Sequence, residues 1–365
     1  MTAGSPEGAL VAGPIGAPDG GAATGSAATG SAGIGSAATG SAGIADPEPG
    51  ASSAGVLTAA RPVLGTVALL AGAAAWGSTG TAAHFAPAGT SALSVAAARI
   101  VTGGALLAVI ALRSRPNRAG LRDLVGGQSR TRALTLLAAI AVSGYQLCFF
   151  TCVRLTGVAI GTAVAIGSAP VLTGLLSRLA GGPKLGRRWT GATAGAVAGV
   201  CVLVAGGQAA SANLAGVGLA LVAGLCYSVY AIAAARLISA GTPEASVMAA
   251  FFGLAAVLLL PVLLLTSPAW VLTPRGAAVT LYLGVVTTAV AYLLYGRGLR
   301  TVLAPVAVTL GLAEPAVAAL LGLTLLGERL SGAGVAGLSL IGLALVLLTV
   351  PGSPGRAAAR RWRAR

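Results

Sequence analysis

The sequence predicts an all-α integral membrane protein with ten transmembrane helices, arranged as two inverted five-helix repeats behind a disordered N-terminal tail. Three observations lead to this fold class: the apolar composition, the distribution of basic residues and an internal repeat. Of the 365 residues, 56% are hydrophobic and 8% are charged, whereas soluble domains carry about 25% charged residues. Lipid accepts only helices or closed barrels, and the long apolar runs do not alternate as barrel strands do.

Residues 1–61 are expected to form a disordered, low-complexity cytoplasmic tail. They hold almost no aromatic or charged residues, and the sequence GSAATGSAGI occurs in tandem at 25–34 and 35–44. Such a segment cannot bury enough apolar surface to fold. It contains no basic stretch leading into a short apolar core, so no cleaved signal peptide is expected.

The rest of the chain contains ten apolar segments, each long enough for a helix of about 20 residues to cross a bilayer. The first five-helix repeat is assigned to residues 62–207 and the second to 208–350, followed by a basic cytoplasmic tail at 351–365. The predicted spans are 64–85, 92–112, 133–153, 158–179, 189–207, 214–237, 245–265, 277–295, 302–326 and 333–350.

Basic residues segregate strongly when the N-terminus is placed inside the cell. This topology puts 19 of the 23 Lys and Arg residues on the cytoplasmic side and leaves Arg154, Arg275 and Arg329 outside, with Arg99 inside a span. Cytoplasmic loops collect Lys and Arg. The pattern therefore predicts a multi-pass protein of the plasma membrane with both termini cytoplasmic. It also explains the net charge of +15 without nucleic acid, which we do not expect as a partner because the basic loops lack interleaved aromatic residues.

An internal repeat relates the two halves. The segment AGTSALSVAAA at 88–98 matches AGTPEASVMAA at 240–250, and SAPVLTGLL at 168–176 matches AEPAVAALL at 313–321. Five spans per copy is an odd number, so the second copy enters the membrane in the opposite orientation. Inverted repeats of this kind are typical of secondary transporters, whose substrate sites lie near the bilayer midplane between the halves.

The residues needed for enzyme chemistry are missing from the sequence. There is one histidine, and neither GxSxG, GxxxxGK[ST] nor a pair of carboxylates occurs in the apolar spans, so hydrolase triads and phosphate cradles are excluded. The cysteines Cys148, Cys152, Cys201 and Cys226 lie inside spans without metal-ligand spacing. We therefore expect no enzyme activity, no metal and no cofactor.

Glu314 is the strongest candidate site residue because it is the only carboxylate inside a long apolar segment. Such an acid costs several kcal/mol unless it faces a cavity or a partner, and burial favours its neutral form while a nearby cation favours the carboxylate. Binding of a proton or a cationic group is one interpretation; capping of backbone groups freed by the following Pro315 is the other. A helix break is predicted at Pro315 and at Pro170, its match in the first repeat, where Ala169 replaces the acid.

Arg99 is the only base deep within a span. It could pair with Glu314, hold a substrate carboxylate or serve a purely structural ion pair. The aromatic residues within spans can line a polar cavity or simply pack, and Gln146 could bond to substrate or to a neighbouring helix. The candidates of this group are Trp76, Tyr145, Tyr227, Tyr230 and Tyr292, with Gln146 beside them.

Gly191, Gly195 and Gly199 form a double GxxxG pattern on the fifth predicted span. Small residues at this spacing allow two helices to approach closely. We favour packing within the chain over the alternative, a homodimer face.

Several short motifs, ordered across both halves, carry a family resemblance. They are Trp76-Gly77-Ser78, Ala97-Ala98-Arg99, Val153-Arg154-Leu155-Thr156, Leu312-Ala313-Glu314-Pro315 and Gly327-Glu328-Arg329-Leu330. Over residues 64–349 the chain resembles the EamA family of the drug/metabolite transporter superfamily. The resemblance implies a ten-helix carrier with both termini inside, usually exporting amino acids or other small metabolites. The chain departs from the family at Pro183-Lys184, where Glu-Arg is common, so no substrate role is assigned there.

Together these observations predict a secondary-active exporter that moves a small metabolite across the lipid bilayer by alternating access, with proton exchange as the favoured coupling. The alternative is an integral-membrane sensor or accessory protein that keeps the scaffold without transport. A polar cavity reaching Glu314 distinguishes the carrier from the sensor.

Overall fold

The computed structural model describes residues 51–205, 213–325 and 331–349, with side chains from Pro62 onward except at 158, 159, 204 and 205. Within these ranges, nine helical segments are long and apolar enough to cross a membrane. Residues 1–50 of the predicted tail at 1–61, the tail at 351–365 and the motif at 327–330 lie outside the described residues. Residues 51–61 of the predicted tail are helical and form the start of the first helix. The elements are α1 Ala51–Gly77, α2 Thr79–His84, α3 Ala92–Arg113, α4 Arg115–Gly126, α5 Ser129–Leu179, α6 Arg187–Ala205, α7 Leu214–Ser239, α8 Glu244–Leu265, a 3-10 turn Pro268–Leu272, α9 Pro274–Gly284, a π-helical segment Val285–Val290, α10 Ala291–Leu299, α11 Ala304–Leu310, α12 Ala313–Leu325 and α13 Gly332–Thr349.

The third and fourth predicted spans are joined by a kink instead of the expected loop. Both belong to α5, which is interrupted at Gly157, where the backbone adopts φ 80° and ψ 159°. A residue with a Cβ rarely adopts a positive φ, and glycine does so at little steric cost. The chain thus changes direction at one residue, between membrane-crossing segments Ser129–Gly157 and Ile160–Leu179.

The helix break predicted at Pro170 is wrong. The helix runs through this residue, and Gly157 is the position inside α5 with non-helical backbone angles. Nearby hydroxyl groups bond the carbonyls on this stretch: Ser168 Oγ donates to the Ala165 carbonyl at 3.2 Å and Thr173 Oγ1 to the Ala169 carbonyl at 2.7 Å.

The span that carries Glu314 is broken, just ahead of the acid. Helix α11 ends at Leu310 and α12 begins at Ala313. Pro315 has no N–H to donate to the Gly311 carbonyl four residues earlier. The Glu314 N–H donates to that carbonyl instead, at 2.9 Å. This shorter-range bond tightens the turn and places Glu314 in the first turn of α12.

A π-helical segment separates α9 from α10. Its Thr287 and Thr288 hydroxyls both donate to the Leu283 carbonyl, at 2.8 and 3.0 Å. Helix α3 packs closely here, since a Cβ added to Gly103 would collide with Thr288. Such bulges occur often at functional sites because they rotate the helix faces that follow. The helix that follows is α10, which carries Tyr292 and Tyr295.

Glycines mediate close approaches between the helices of the two halves. A Cβ on Gly72 of α1 would lie 3.1 Å from the Ala291 carbonyl of α10, and one on Gly104 of α3 would collide with the Phe252 carbonyl of α8. Helices α5 and α7 pack side by side, with Gly144 of α5 near Cys226 of α7. Membrane helices associate through such small residues, because lipid offers no hydrophobic drive for their assembly.

The double GxxxG pattern of α6 contacts α13 at two of its three glycines. A Cβ on Gly199 would lie 2.8 Å from the Gly337 carbonyl, and one on Gly195 would lie 3.7 Å from Ala344 Cβ. A Cβ on Gly191 would meet no other described residue within 4 Å. Packing against α13 therefore requires a glycine at Gly199, while Gly195 makes an ordinary contact with α13 and Gly191 makes none.

Helix α4 was not predicted, because its six-arginine surroundings were assigned to a loop. Its amphipathic sequence lies against the start of α8: Leu124 is fully buried, and Ser246 Oγ donates to the Asn117 carbonyl at 2.9 Å. The arginines Arg115, Arg118 and Arg122 on α4 are exposed. Helix α4 has 12 residues, too few to cross a bilayer, so it is a surface element.

Candidate functional site

Aromatic side chains from α1, α5, α7 and α10 form one continuous cluster between the two halves of the chain. The Trp76 and Tyr292 ring centroids are 5.0 Å apart, and those of Tyr292 and Tyr230 are 6.4 Å apart. The row continues from Tyr230 to Tyr227 at 5.1 Å and from Tyr227 to Tyr145 at 6.1 Å. We call these residues, with Tyr295, the aromatic cluster. All five aromatic residues singled out in the sequence therefore lie together.

Tyr295 and Phe252 were missed by the sequence reasoning. The Tyr295 ring lies 5.4 Å from Trp76, and the Phe252 ring lies 3.9 Å from Tyr292. Tyr295 follows Tyr292 by three residues, so both fall on one helix face. That spacing was a usable signal. Phe252 lies in an unbroken apolar run of α8, where no sequence pattern distinguishes it from its neighbours.

Several buried polar atoms of this region have no hydrogen-bond partner in the part of the chain that the structure describes. In the aromatic cluster these are Trp76 Nε1 and the hydroxyls of Tyr227 and Tyr295, which approach each other without a hydrogen bond of 3.5 Å or less. Arg99 Nε is a fourth such atom. Buried polar groups are nearly always bonded to protein or water, and each exception asks for an explanation. Tyr230 and Tyr292, by contrast, share a long hydrogen bond of 3.5 Å. The cluster thus presents donors without partners in an apolar interior.

Gln146 is 2% exposed, and its Oε1 also lacks a partner. No ring contact or hydrogen bond among the described residues joins it to the aromatic cluster. It neighbours Tyr145 in the chain, but successive residues on a helix point in different directions.

Arg99 lies in α3 with only 8% of its surface exposed. Its one hydrogen bond within the described chain is Nη1 to Thr79 Oγ1, at 3.5 Å. A guanidinium has five N–H donors and stays charged. A buried cation with so little compensation is costly, so Arg99 is a site where an anionic group would be stabilised.

Glu314 lies where α1, α11 and α12 meet. It is partly buried, and its backbone contacts the end of α1, since a Cβ on Gly77 would lie 2.7 Å from the Glu314 carbonyl. The Tyr227 hydroxyl lies just ahead of it, 3.0 Å from where a Cβ on Gly311 would be. The positive end of the α12 dipole favours a negative charge at this position.

Arg99 and Glu314 approach each other without touching. Both are described, and they form no ion pair within 4.0 Å. They are nonetheless neighbours, and Tyr145, Tyr227 and Tyr292 lie near Glu314 as well. The site therefore combines one cation, one acid and a set of aromatic rings, and the charged atoms of Arg99 and Glu314 are more than 4.0 Å apart. Among the described residues, no group of three or more His, Cys, Asp or Glu side chains could hold a metal ion.

Comparison with known proteins assigns the chain to a family. The model of the EamA-like transporter family matches the chain twice, over residues 51–205 and 214–350. The chain belongs to the EamA-like transporter family. It is also similar to the uncharacterized transporter YwfM of Bacillus subtilis (strain 168), with 36% identity over 247 residues, 68% of this chain and 80% of that protein.

A solved structure shares the fold of this EamA-like chain. It is described only as a crystal structure of a protein; it has a TM-score of 0.65 and 23% identity, and covers 80% of this chain and 98% of its own. Because Trp76, Tyr145 and Arg99 fall in the first family match and Tyr227, Tyr292 and Glu314 in the second, the site draws on both EamA-like segments. The protein is a multi-pass membrane transporter by family and composition.

Proposed function

We propose that this protein is a ten-helix secondary-active exporter of a small metabolite, an amino acid or a related solute, which works by alternating access in the plasma membrane. The fifth span in this proposal is α6, Arg187–Ala205. Ten spans place both termini in the cytoplasm and keep the segregation of basic residues. Labelling of Arg122→Cys and Arg275→Cys with a membrane-impermeant thiol reagent tests this topology. The proposal places position 122 on the cytoplasmic side of the membrane and position 275 on the outer side.

The pairing of helices supports two inverted five-helix repeats, here assigned to residues 62–207 and 208–350. Exchange of the two halves maps the α3–α8 pair onto itself, and likewise the α6–α13 pair. It maps the contact between α1 and α10 onto the contact between α7 and the first half of α5. All of these pairs are in close contact. A two-fold axis in the membrane plane requires such self-consistent pairing.

The observation that carries the proposal is the set of buried donors without partners beside Arg99 and Glu314. A solute that brings its own acceptors would satisfy Trp76 Nε1 and the Tyr227 hydroxyl. Its carboxylate would compensate Arg99, and its amino group would lie between Glu314 and the rings. An amino acid offers these groups together.

Glu314 is the proposed coupling residue, because one membrane acid suffices to exchange a proton for a solute. A proton on Glu314 and a cationic solute group would compete for the same carboxylate. Alternating occupancy of one acid is the simplest form of coupled exchange, and Ala169 at the matching place in the first repeat offers no second acid.

Counterflow in proteoliposomes tests the proposal. The purified protein is assayed with a panel of amino acids, cations and sugars, with and without a pH gradient. We expect saturable counterflow for at least one amino acid or related solute, and stimulation by the gradient. Absence of counterflow for the whole panel, with protein correctly inserted, would favour the sensor or accessory role.

A charge exchange tests whether Arg99 and Glu314 act together. Arg99→Glu and Glu314→Arg are expected to fail singly, and the double variant is expected to insert and fold if the two residues form a structural pair. Because the structure shows them apart, we expect no recovery of transport in the double variant. Full recovery would contradict separate roles in solute and proton binding.

A further inference from the structure

A large groove opens between the second half of α5 and the first half of α6, apart from the aromatic cluster. Its volume is about 770 Å³, and its walls are largely apolar, with Val171 and Leu175 on α5 and Val197 on α6. Val171 and Leu175 are 56% and 55% exposed. A water molecule takes about 30 Å³ of liquid, and apolar cavities do not retain water. The groove therefore suits hydrocarbon.

One end of the groove is cationic and the other is not. Arg178 and Lys184 line it where α5 ends and α6 has not yet begun, and both are exposed. Arg178 Nη1 donates to the Gly182 carbonyl at 3.4 Å, and its other N–H groups have no bond within the described chain. From Val171 to Arg178 the helix rises about 10 Å. The groove thus matches a molecule with an apolar chain and an anionic head.

Trp189 forms the back wall of the groove. Its indole Nε1 donates to the Pro305 carbonyl at 3.2 Å and to Thr309 Oγ1 at 3.1 Å, which fixes the ring against α11. The other end of the ring lies over Gly174, where a Cβ would come within 2.6 Å of Trp189 Cη2. The glycine is required by this contact, and the ring is left as an apolar surface facing the groove.

We propose that this groove binds an anionic phospholipid, with one acyl chain along Val171, Leu175 and Val197 and the phosphate between Arg178 and Lys184. The proposed topology places the basic end in the cytoplasmic leaflet, where anionic lipids attract basic residues and where basic pockets between helices hold lipid head groups. The lipid would join α5 to α6 and, through Trp189, to the base of α11. The proposal is independent of the solute that the transporter carries.

Quenching of Trp189 fluorescence by brominated lipids tests the proposal. The protein carries Trp76→Phe, Trp270→Phe and Trp362→Phe, so that Trp189 is the one tryptophan, and is placed in vesicles of phosphatidylcholine with brominated phosphatidylglycerol or brominated phosphatidylcholine. We expect stronger quenching at equal mole fraction by brominated phosphatidylglycerol. Each basic residue near the membrane surface raises the affinity for an anionic lipid about fivefold. Loss of both Arg178 and Lys184 should therefore lower the affinity for phosphatidylglycerol about 25-fold.

Matched variants separate charge from shape. Arg178→Gln with Lys184→Gln should abolish the preference for phosphatidylglycerol, whereas Arg118→Gln with Arg122→Gln, an equal charge loss on α4, should leave it intact. Ala198→Phe fills the apolar end and should reduce quenching by both lipids. Equal quenching by both lipids in the parent, or an unchanged preference without Arg178 and Lys184, would overturn the proposal. A third result would also overturn it: neither lipid quenches Trp189, and chemical crosslinking joins two copies of the chain. The groove would then be occupied by a second copy and not by a lipid.

Discussion

Replacing Tyr227 by phenylalanine separates the substrate site from the packing of the fold. The Tyr227 hydroxyl is buried, and among the described residues it has no hydrogen-bond partner within 3.5 Å, the nearby Tyr295 hydroxyl included. Phenylalanine keeps the ring contacts, at 6.1 Å to Tyr145 and 5.1 Å to Tyr230. A buried hydroxyl without a partner carries a desolvation penalty of about 1–3 kcal/mol. Removing it should therefore leave the stability unchanged or raise it by about 1 kcal/mol.

Transport by Tyr227→Phe should become weaker, although the stability of the fold is unchanged or higher. A hydrogen bond to bound solute contributes about 0.5–1.5 kcal/mol, so its loss raises the half-saturation concentration about 2- to 13-fold. Thermal unfolding in detergent measures the first effect, and counterflow in proteoliposomes measures the second. The matched control is Tyr230→Phe, whose hydroxyl bonds to Tyr292 at 3.5 Å; this variant should lose a little stability.

The opposite pattern would refute the reasoning. If Tyr227→Phe destabilises the protein by more than about 1 kcal/mol while transport keeps its half-saturation concentration, the hydroxyl supports the fold and the site lies elsewhere.

Three further predictions concern the acid and the helix contacts. Glu314→Gln mimics the protonated acid and should remove the pH dependence of transport at equal membrane abundance; full pH-dependent transport would exclude Glu314 as the coupling residue. Gly199→Leu should separate α6 from α13 and lower the unfolding temperature, whereas Gly191→Leu, which meets open space, should not; equal effects would place the contact elsewhere. Gly104→Val should destabilise by at least about 1–3 kcal/mol because its Cβ meets a backbone carbonyl of α8, whereas Gly253→Ala, 3.9 Å from its nearest neighbour, should be tolerated in the same unfolding assay.

Nine of the ten predicted membrane-crossing segments appear among the described helices, because hydropathy reports burial in lipid directly. The fifth predicted span, 189–207, falls on α6, which is not one of the nine. The second predicted span, 92–112, becomes Ala92–Arg113, and the seventh, 245–265, becomes Glu244–Leu265. Irregular backbone was harder to place. The kink lies at Gly157 and not at Pro170, because the chain turns there through a positive φ that glycine adopts at little steric cost. Surface helix α4 was missed because arginine-rich, amphipathic segments resemble loops in hydropathy.

The candidate site could be predicted by residue type but not by contact. Trp76 and Tyr292 stand more than two hundred residues apart, and only the folded helices bring their rings to 5.0 Å. Charge in an apolar span identified Arg99 and Glu314, since lipid makes such residues costly. Their separation without a direct ion pair follows from the geometry of α3 and α12, which no local pattern encodes.

Trp76 fluorescence during solute binding tests the central claim, that the solute binds at the aromatic cluster beside Arg99 and Glu314. The protein carries Trp189→Phe, Trp270→Phe and Trp362→Phe and is titrated with the solute that supports counterflow. We expect a saturable change in Trp76 emission whose midpoint matches the half-saturation of transport, and which Arg99→Gln weakens. Saturable transport by this protein with unchanged Trp76 emission would contradict the claim and place the solute elsewhere.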